Sequence, residues 1–229
     1  MCFSPSVSFG ASAVLATAGA VAMYQSSGKP QRVLAAVPLL FAIQQFAEGV
    51  VWMSLLHTEW AHWKGYATYT FLLFAQVIWP VYMPFCALLF EHHKTRKKII
   101  GVTLLAGLLL AAYTTMLLAL HVPHPIAEMH HIHYELDFAL ARKWYYGLLY
   151  FIPTILSLVL SSHKALRRIG YLFLISYIFT RLLFHFYVIS IWCFFGAAIS
   201  LLVLLYITEL NKKKKIIVDH NPDLQDQII

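Results

Sequence analysis

Long apolar runs separated by short basic clusters set the pattern of this chain. A helix needs about 20 apolar residues to cross roughly 30 Å of hydrocarbon. On that ruler the runs give seven segments: Val7 to Tyr24, Val33 to Leu56, Tyr66 to Phe90, Ile99 to Leu120, Trp144 to Leu160, Gly170 to Tyr187 and Val188 to Ile207. The first is the least apolar, being rich in Gly, Ala, Ser and Thr, residues that also let membrane helices pack closely. The last two nearly touch, so a single bent segment competes with two helices; Ser190 and its aromatic neighbours favour a tight turn. The pattern predicts an all-α, polytopic transmembrane bundle of seven helices over residues 1–211. A basic and polar cytoplasmic tail over 212–229 follows, of which Ile216 to Ile229 reads as a disordered appendage.

Charge orients the bundle. Lys29 and Arg32 follow the first segment, Lys94, Arg96, Lys97 and Lys98 the third, Lys164, Arg167 and Arg168 the fifth, and Lys212 to Lys215 the last. With seven spans all four clusters fall on one side, which the excess of cations in cytoplasmic loops makes the inner one. The N-terminus is then out and the C-terminus in, with only Lys64, Arg142 and Lys143 basic on the outer side. Apolar residues make up 60% of the chain and charged residues 12%, which excludes a water-facing surface. The formal charge of +7 lies in those inter-span clusters, so nucleic acid is not the expected partner; the bilayer is. Met1 to Ser8 carries no Lys or Arg, unlike a secretory leader, so the first segment is expected to stay as a helix.

Within these spans, polar residues gather at one depth. Gln44, Gln45 and Glu48 lie in the middle of the second segment with Trp52 a turn on, Gln76 near the middle of the third, and Arg181 in the sixth. Tyr177 and His185 share the helix face of Arg181 at a spacing of four residues. A charge at that depth costs at least about 2.5–3.5 kcal/mol, so Glu48 and Arg181 are expected to pair directly or through a ligand or water. Two readings stay open: a structural ion pair with interhelical amide bonds, or a centre for a polar substrate, a proton relay or acid–base chemistry. Pro38, Pro80, Pro84 and Pro153 fall inside spans, where they kink helices and release backbone carbonyls. Trp60, Trp63, Trp144, Tyr145 and Tyr146 fit an aromatic belt at the outer boundary.

The outer segment His121 to Glu135 includes His130, His131 and His133, with His57 and His62 on the neighbouring loop. Imidazoles at this density suit zinc or copper, against the alternative of a solvated, pH-responsive loop. No His-Glu-x-x-His spacing is present. Cys2 and Cys193 reach the same outer side, either as unrelated buried thiols, as a disulfide, or as metal ligands with His185.

Met1-Cys2-Phe3-Ser4, the run Pro38 to Gln45 with Glu48-Gly49-Val50-Val51-Trp52, Phe74 to Pro80, and Ser190 to Phe195 together resemble an uncharacterised family of bacterial integral membrane proteins. The resemblance implies a bacterial inner-membrane location and no particular activity. It coincides with Cys2, Gln45, Glu48, Gln76 and Cys193. Other seven-helix families fit poorly, since the last span has neither a Schiff-base lysine nor a His-x-x-x-His pair. The functional expectation is binding, sensing or transport of a small polar or metal solute at the polar centre. The alternative is a membrane-embedded, metal-dependent enzyme acting on a lipid or small molecule.

Overall fold

Ser4 and Pro5 start the first helix. The Ser4 hydroxyl accepts the Val7 N–H at 3.4 Å, and a proline at the first position has no N–H to leave unpaired. Helix α1 (Pro5–Gln25) is followed by a turn in which Gly28 adopts φ +80°, a conformation open to glycine at little cost, and the chain reverses into α2 (Gly28–Leu56). A 3-10 turn (Thr58–Trp63) leads to α3 (Lys64–Leu72), which continues through a π-helical turn (Leu73–Ile78) into α4 (Trp79–Phe90). Then come α5 (Lys94–Leu120), a hairpin of β1 (His124–Glu128) and β2 (His131–Glu135), and α6 (Trp144–Phe151). A second π-helical turn (Ile152–Leu156) joins α6 to α7 (Ser157–Val159), and α8 (Lys164–Leu183) and α9 (Val188–His220) complete the chain. This computed structural model describes residues 4–128, 131–136, 144–184 and 187–220.

Taken with their π turns as continuous rods, these helices fall on the seven expected segments. Hydrogen bonds between distant turns show how the rods are arranged. Gln25 holds Thr208 (2.9 Å) and Asn211 (2.8 Å), Glu91 holds Ser162, and Tyr206 meets His163 at 3.0 Å. The α1–α2, α4–α5 and α7–α8 turns and the distal part of α9 therefore share one end, as an up-and-down bundle requires. That end carries Lys29, Arg32, Lys94, Lys97, Lys98, Lys164, Arg168 and Lys212, all exposed. Five helices are long and apolar enough to cross a membrane: Pro5–Gln25, Gly28–Leu56, Thr58–Phe90, Lys94–Leu120 and Val188–Lys212. The run Tyr146–Val159 is apolar but shorter. The outward faces are greasy, with Val102, Leu105, Leu109 and Met116 of α5 and Ile175, Ile178 and Leu182 of α8 exposed. A bilayer solvates such faces, whereas water penalises them at about 25 cal/mol per Å².

Two departures have simple causes. The histidine-rich segment, expected as a loop in an all-helical chain, forms a hairpin with Ile126 opposite His133 and Glu128 opposite His131. In β2 the residues alternate, Ile132 and Tyr134 turning inward while His131, His133 and Glu135 turn outward, and Tyr134 stacks on Phe71 at 4.6 Å. Helix α9 runs to His220, past the boundary at 211 and into the segment read as disordered, and no Gly or Pro falls between Asn211 and His220 to end it.

Candidate functional site

The middle of α2 supplies the site because three polar side chains there point inward together. Gln44, Gln45 and Glu48 have no exposed surface, and spacings of three and four residues put them on one helix face. The Glu48 carboxyl is gripped at both oxygens: Ser190 Oγ of α9 donates to Oε1 at 2.6 Å, and Gln45 Nε2 donates to Oε2 at 3.1 Å. One turn away Trp79 Nε1 donates to Gln44 Oε1 at 2.7 Å. An indole N–H can only donate, so this bond fixes which way the Gln44 amide faces. The amide nitrogen is left toward the Cys193 thiol. Gln45 Oε1 and Trp52 Nε1 have no hydrogen-bond partner among the described residues, and Gln44 Nε2 has none but the weakly accepting sulfur of Cys193. Each such atom costs about 1–3 kcal/mol.

Next to this cluster the helices lose regularity. Between Leu73 and Ile78 the Trp79 N–H reaches back five residues to the Phe74 carbonyl. Ala75 thereby loses its α-helical donor, and the residue five on, Pro80, has no N–H to replace it. The Tyr150 hydroxyl of α6 fills the gap by donating to the Ala75 carbonyl at 2.5 Å. Gln76, in the same π turn, accepts from the Tyr146 hydroxyl at 2.7 Å. The opposite π turn, Ile152–Leu156, holds Pro153. Gly107 of α5 sits against both: a Cβ there would lie 1.9 Å from the Pro80 carbonyl oxygen and 3.1 Å from Pro153 Cβ. Proline, π turn and glycine form one device that brings Tyr146 and Tyr150 over Gln76 and Ala75.

A cavity of about 20 Å³ lies beside the cluster, enough for one water-sized occupant. Its wall is aromatic, with Phe41, Trp79, Tyr150, Phe173 and Trp192 contributed by five different rods, and Cys193 links it to the polar cluster. Phe41 stacks on Trp79 at 4.0 Å and Tyr150 meets Trp192 edge to face at 5.6 Å.

Several expected partners are placed differently. Arg181 is exposed in the last turn of α8 and makes no ion pair with Glu48. The helix ends at Leu183, four residues short of the expected Tyr187, so the guanidinium sits at the rod's end, where a cation suits the carbonyl end of the dipole. Ser190, not Arg181, is an interhelical partner of the acid among the described residues. Tyr177 is half-buried and packs on Trp192 at 5.3 Å, at the back of the cavity wall. Tyr146, expected in the outer aromatic belt, is buried against Gln76, while Trp60 and Trp63 are exposed on the 3-10 turn. The cavity wall includes Tyr150 of α6 and Thr154 and Ile155 of the π turn after it, which the sequence analysis left out.

Cys193 is a buried free thiol, so the disulfide alternative with Cys2 is not formed. Cys2, His130 and His185 lie outside the described residues. His131 and His133 both pack on the Tyr187 ring, at 4.9 and 6.2 Å, and the Tyr187 hydroxyl donates to Glu128 at 2.7 Å, a bond that raises the phenol above its ordinary range. Among the described residues no three His, Cys, Asp or Glu side chains gather to hold a metal.

A second buried acid, missed in the sequence, ties the basic end together. Glu91 accepts the Ser162 N–H (2.7 Å), the Ser162 hydroxyl (2.6 Å) and the His93 N–H (2.9 Å). Burial pushes its carboxyl up, but these donors and Arg96 outweigh it and hold the group below the ordinary range. His163 alongside is pushed down, chiefly by burial. The signal in the sequence was only Glu91 beside His92 and His93, which reads as a solvated loop.

Fold and polar centre together give a helical bundle, with five helices long and apolar enough to cross a membrane, built around a buried, hydrogen-bonded acid. Residues 1–217 match the family of unknown function DUF6629, and the chain belongs to it. No curated protein and no solved structure matches.

Proposed function

We propose that this is a seven-span protein of the bacterial inner membrane, N-terminus outside and C-terminus in the cytoplasm, that binds a small polar solute at the Gln44, Gln45, Glu48 and Ser190 centre. Orientation rests on the concentration of exposed Lys and Arg at one end of the bundle. The solute reading rests on one observation: a buried amide nitrogen, an amide oxygen and an indole N–H lack partners among the described residues, on the helix that carries a doubly gripped carboxyl. Buried polar groups are for the most part met by a partner, whether protein, ordered water or ligand, and here three idle atoms cluster on one stretch of helix. The paired π turns favour translocation over fixed sensing, because a turn already out of α-register shifts by one residue at small cost.

The test is a thermal-unfolding screen of the full-length protein in detergent against acetamide, urea, ammonium chloride, methylammonium chloride and sodium formate. At least one solute raises the midpoint of the wild type in a saturable way and requires a concentration about tenfold higher in Glu48→Gln, the loss of a hydrogen bond to a charged group. A panel in which no solute separates the two proteins overturns the proposal.

A further inference from the structure

We infer that the aromatic cavity beside the polar centre is a site for an ammonium-sized cation, either the free ion or the head of a small primary amine. The inference rests on the solute-binding reading above and names the chemistry of the solute.

A count of hydrogens on the cavity wall decides the ligand. Trp79 Nε1–H goes to Gln44 Oε1 (2.7 Å) and Trp192 Nε1–H to Ser176 Oγ (3.2 Å). The Tyr150 hydroxyl goes to the Ala75 carbonyl (2.5 Å) and the Thr154 hydroxyl to the Tyr150 carbonyl (2.6 Å). Apart from the Cys193 S–H, a weak donor, every polar hydrogen on the lining side chains is engaged elsewhere. What the lining side chains retain is acceptor oxygen on Tyr150 and Thr154, sulfur on Met83 and Cys193, and ring faces. Such a wall has nothing to offer an anion or a carbonyl oxygen, both of which need donors. It suits a ligand that only donates, and ammonium has four N–H groups and no acceptor.

Charge and size agree. Rings of Trp, Tyr and Phe attract a cation to their faces, tryptophan most strongly, and two of the five rings here are tryptophan. Glu48 lies within electrostatic reach of Cys193 on the cavity wall, and both its oxygens are held by neighbouring polar side chains. A volume of about 20 Å³ admits an ion the size of water and little more. Gly196 keeps the space open, since a Cβ there would come within 2.8 Å of Phe41 Cζ and 3.1 Å of Phe173 Cε1.

Calorimetric titration of the full-length protein in nanodiscs tests this, with ammonium chloride, sodium chloride at equal ionic strength and acetamide as probes. Ammonium binds saturably and sodium does not. Affinity for ammonium falls about tenfold or more in Gly196→Ala, which crowds the rings, and in the near-isosteric Thr154→Val, which removes a lone pair, while the lipid-facing Leu205→Ala binds as the wild type does. Thr154→Val keeps the test valid if Gly196→Ala fails to fold. Equal heats for ammonium and sodium, or variants that bind as the wild type does, overturn the inference. Acetamide binding without ammonium binding overturns the cation and leaves the solute reading standing; binding of neither probe removes both.

Discussion

Removing the Ser190 hydroxyl measures the state of the buried acid. Its Oγ lies 2.6 Å from Glu48 Oε1, within the range of about 2.5–2.7 Å for O–H donors on an ionised oxygen. A hydrogen bond to a charged group contributes about 1.5–3 kcal/mol, whereas polar bonds between membrane helices average about 0.6 kcal/mol. The short distance and the second donor, Gln45 at 3.1 Å, place this bond in the stronger class. The assay is a double-mutant cycle of Ser190→Ala, Glu48→Gln and the pair, each followed by reversible unfolding in mixed micelles with helical circular dichroism as the readout. The single changes leave other partners of each residue in place, so the cycle isolates the shared bond. A coupling of about 1.5 kcal/mol or more is expected. A coupling of about 0.6 kcal/mol or less refutes the reasoning, for it is what two neutral neighbours give.

Other consequences follow from the same geometry. Tyr150→Phe leaves the Ala75 carbonyl without a donor, costs about 1–3 kcal/mol, and speeds amide exchange across the π turn, residues 73–78, relative to α4. Gly107→Ala drives a methyl into the Pro80 carbonyl, a backbone atom that cannot swing aside; the thermal midpoint falls by the equivalent of about 3 kcal/mol or the protein fails to assemble. Glu91 has a depressed folded pKa, so its contribution is present above the ordinary carboxylate pKa and is lost as pH falls through the folded value. The wild type therefore loses stability on acidification below about pH 4.3, and Glu91→Gln, less stable at neutral pH, shows a flatter profile in that window. His163, held below its ordinary range, adds in the same direction: its folded state favours the neutral ring, so acidification below about pH 6.5 destabilises the fold less in His163→Phe than in the wild type.

The rods were legible because length and hydropathy speak locally: seven apolar runs gave seven helical rods, and the basic clusters fell at one end as expected. Gln44, Gln45 and Glu48 were legible too, since polar side chains in an apolar run have to turn inward. The partner of the acid was not. Arg181 lay at a plausible depth, but depth was counted from a helix end set four residues too far along, and a charge can leave the bundle where a serine stays. Ser190 carries no charge to attract notice and becomes a partner only once α9 packs against α2. Tyr146 was hidden because an aromatic near a span's end reads as a belt residue, and Tyr150 because nothing in its own segment shows the carbonyl that the π turn frees at Ala75. The hairpin was written in the alternation of His131, Ile132, His133 and Tyr134, a period-two signal masked by the density of histidine.

The account depends on something other than protein meeting the idle polar atoms of α2. An experimental density map of the full-length protein in lipid tests that directly. Non-protein density within hydrogen-bonding distance of Gln44 Nε2, Gln45 Oε1 or Trp52 Nε1, continuous with the aromatic cavity, is the predicted result. A closed, dry centre in which those atoms pair with one another or with neighbouring side chains would contradict it.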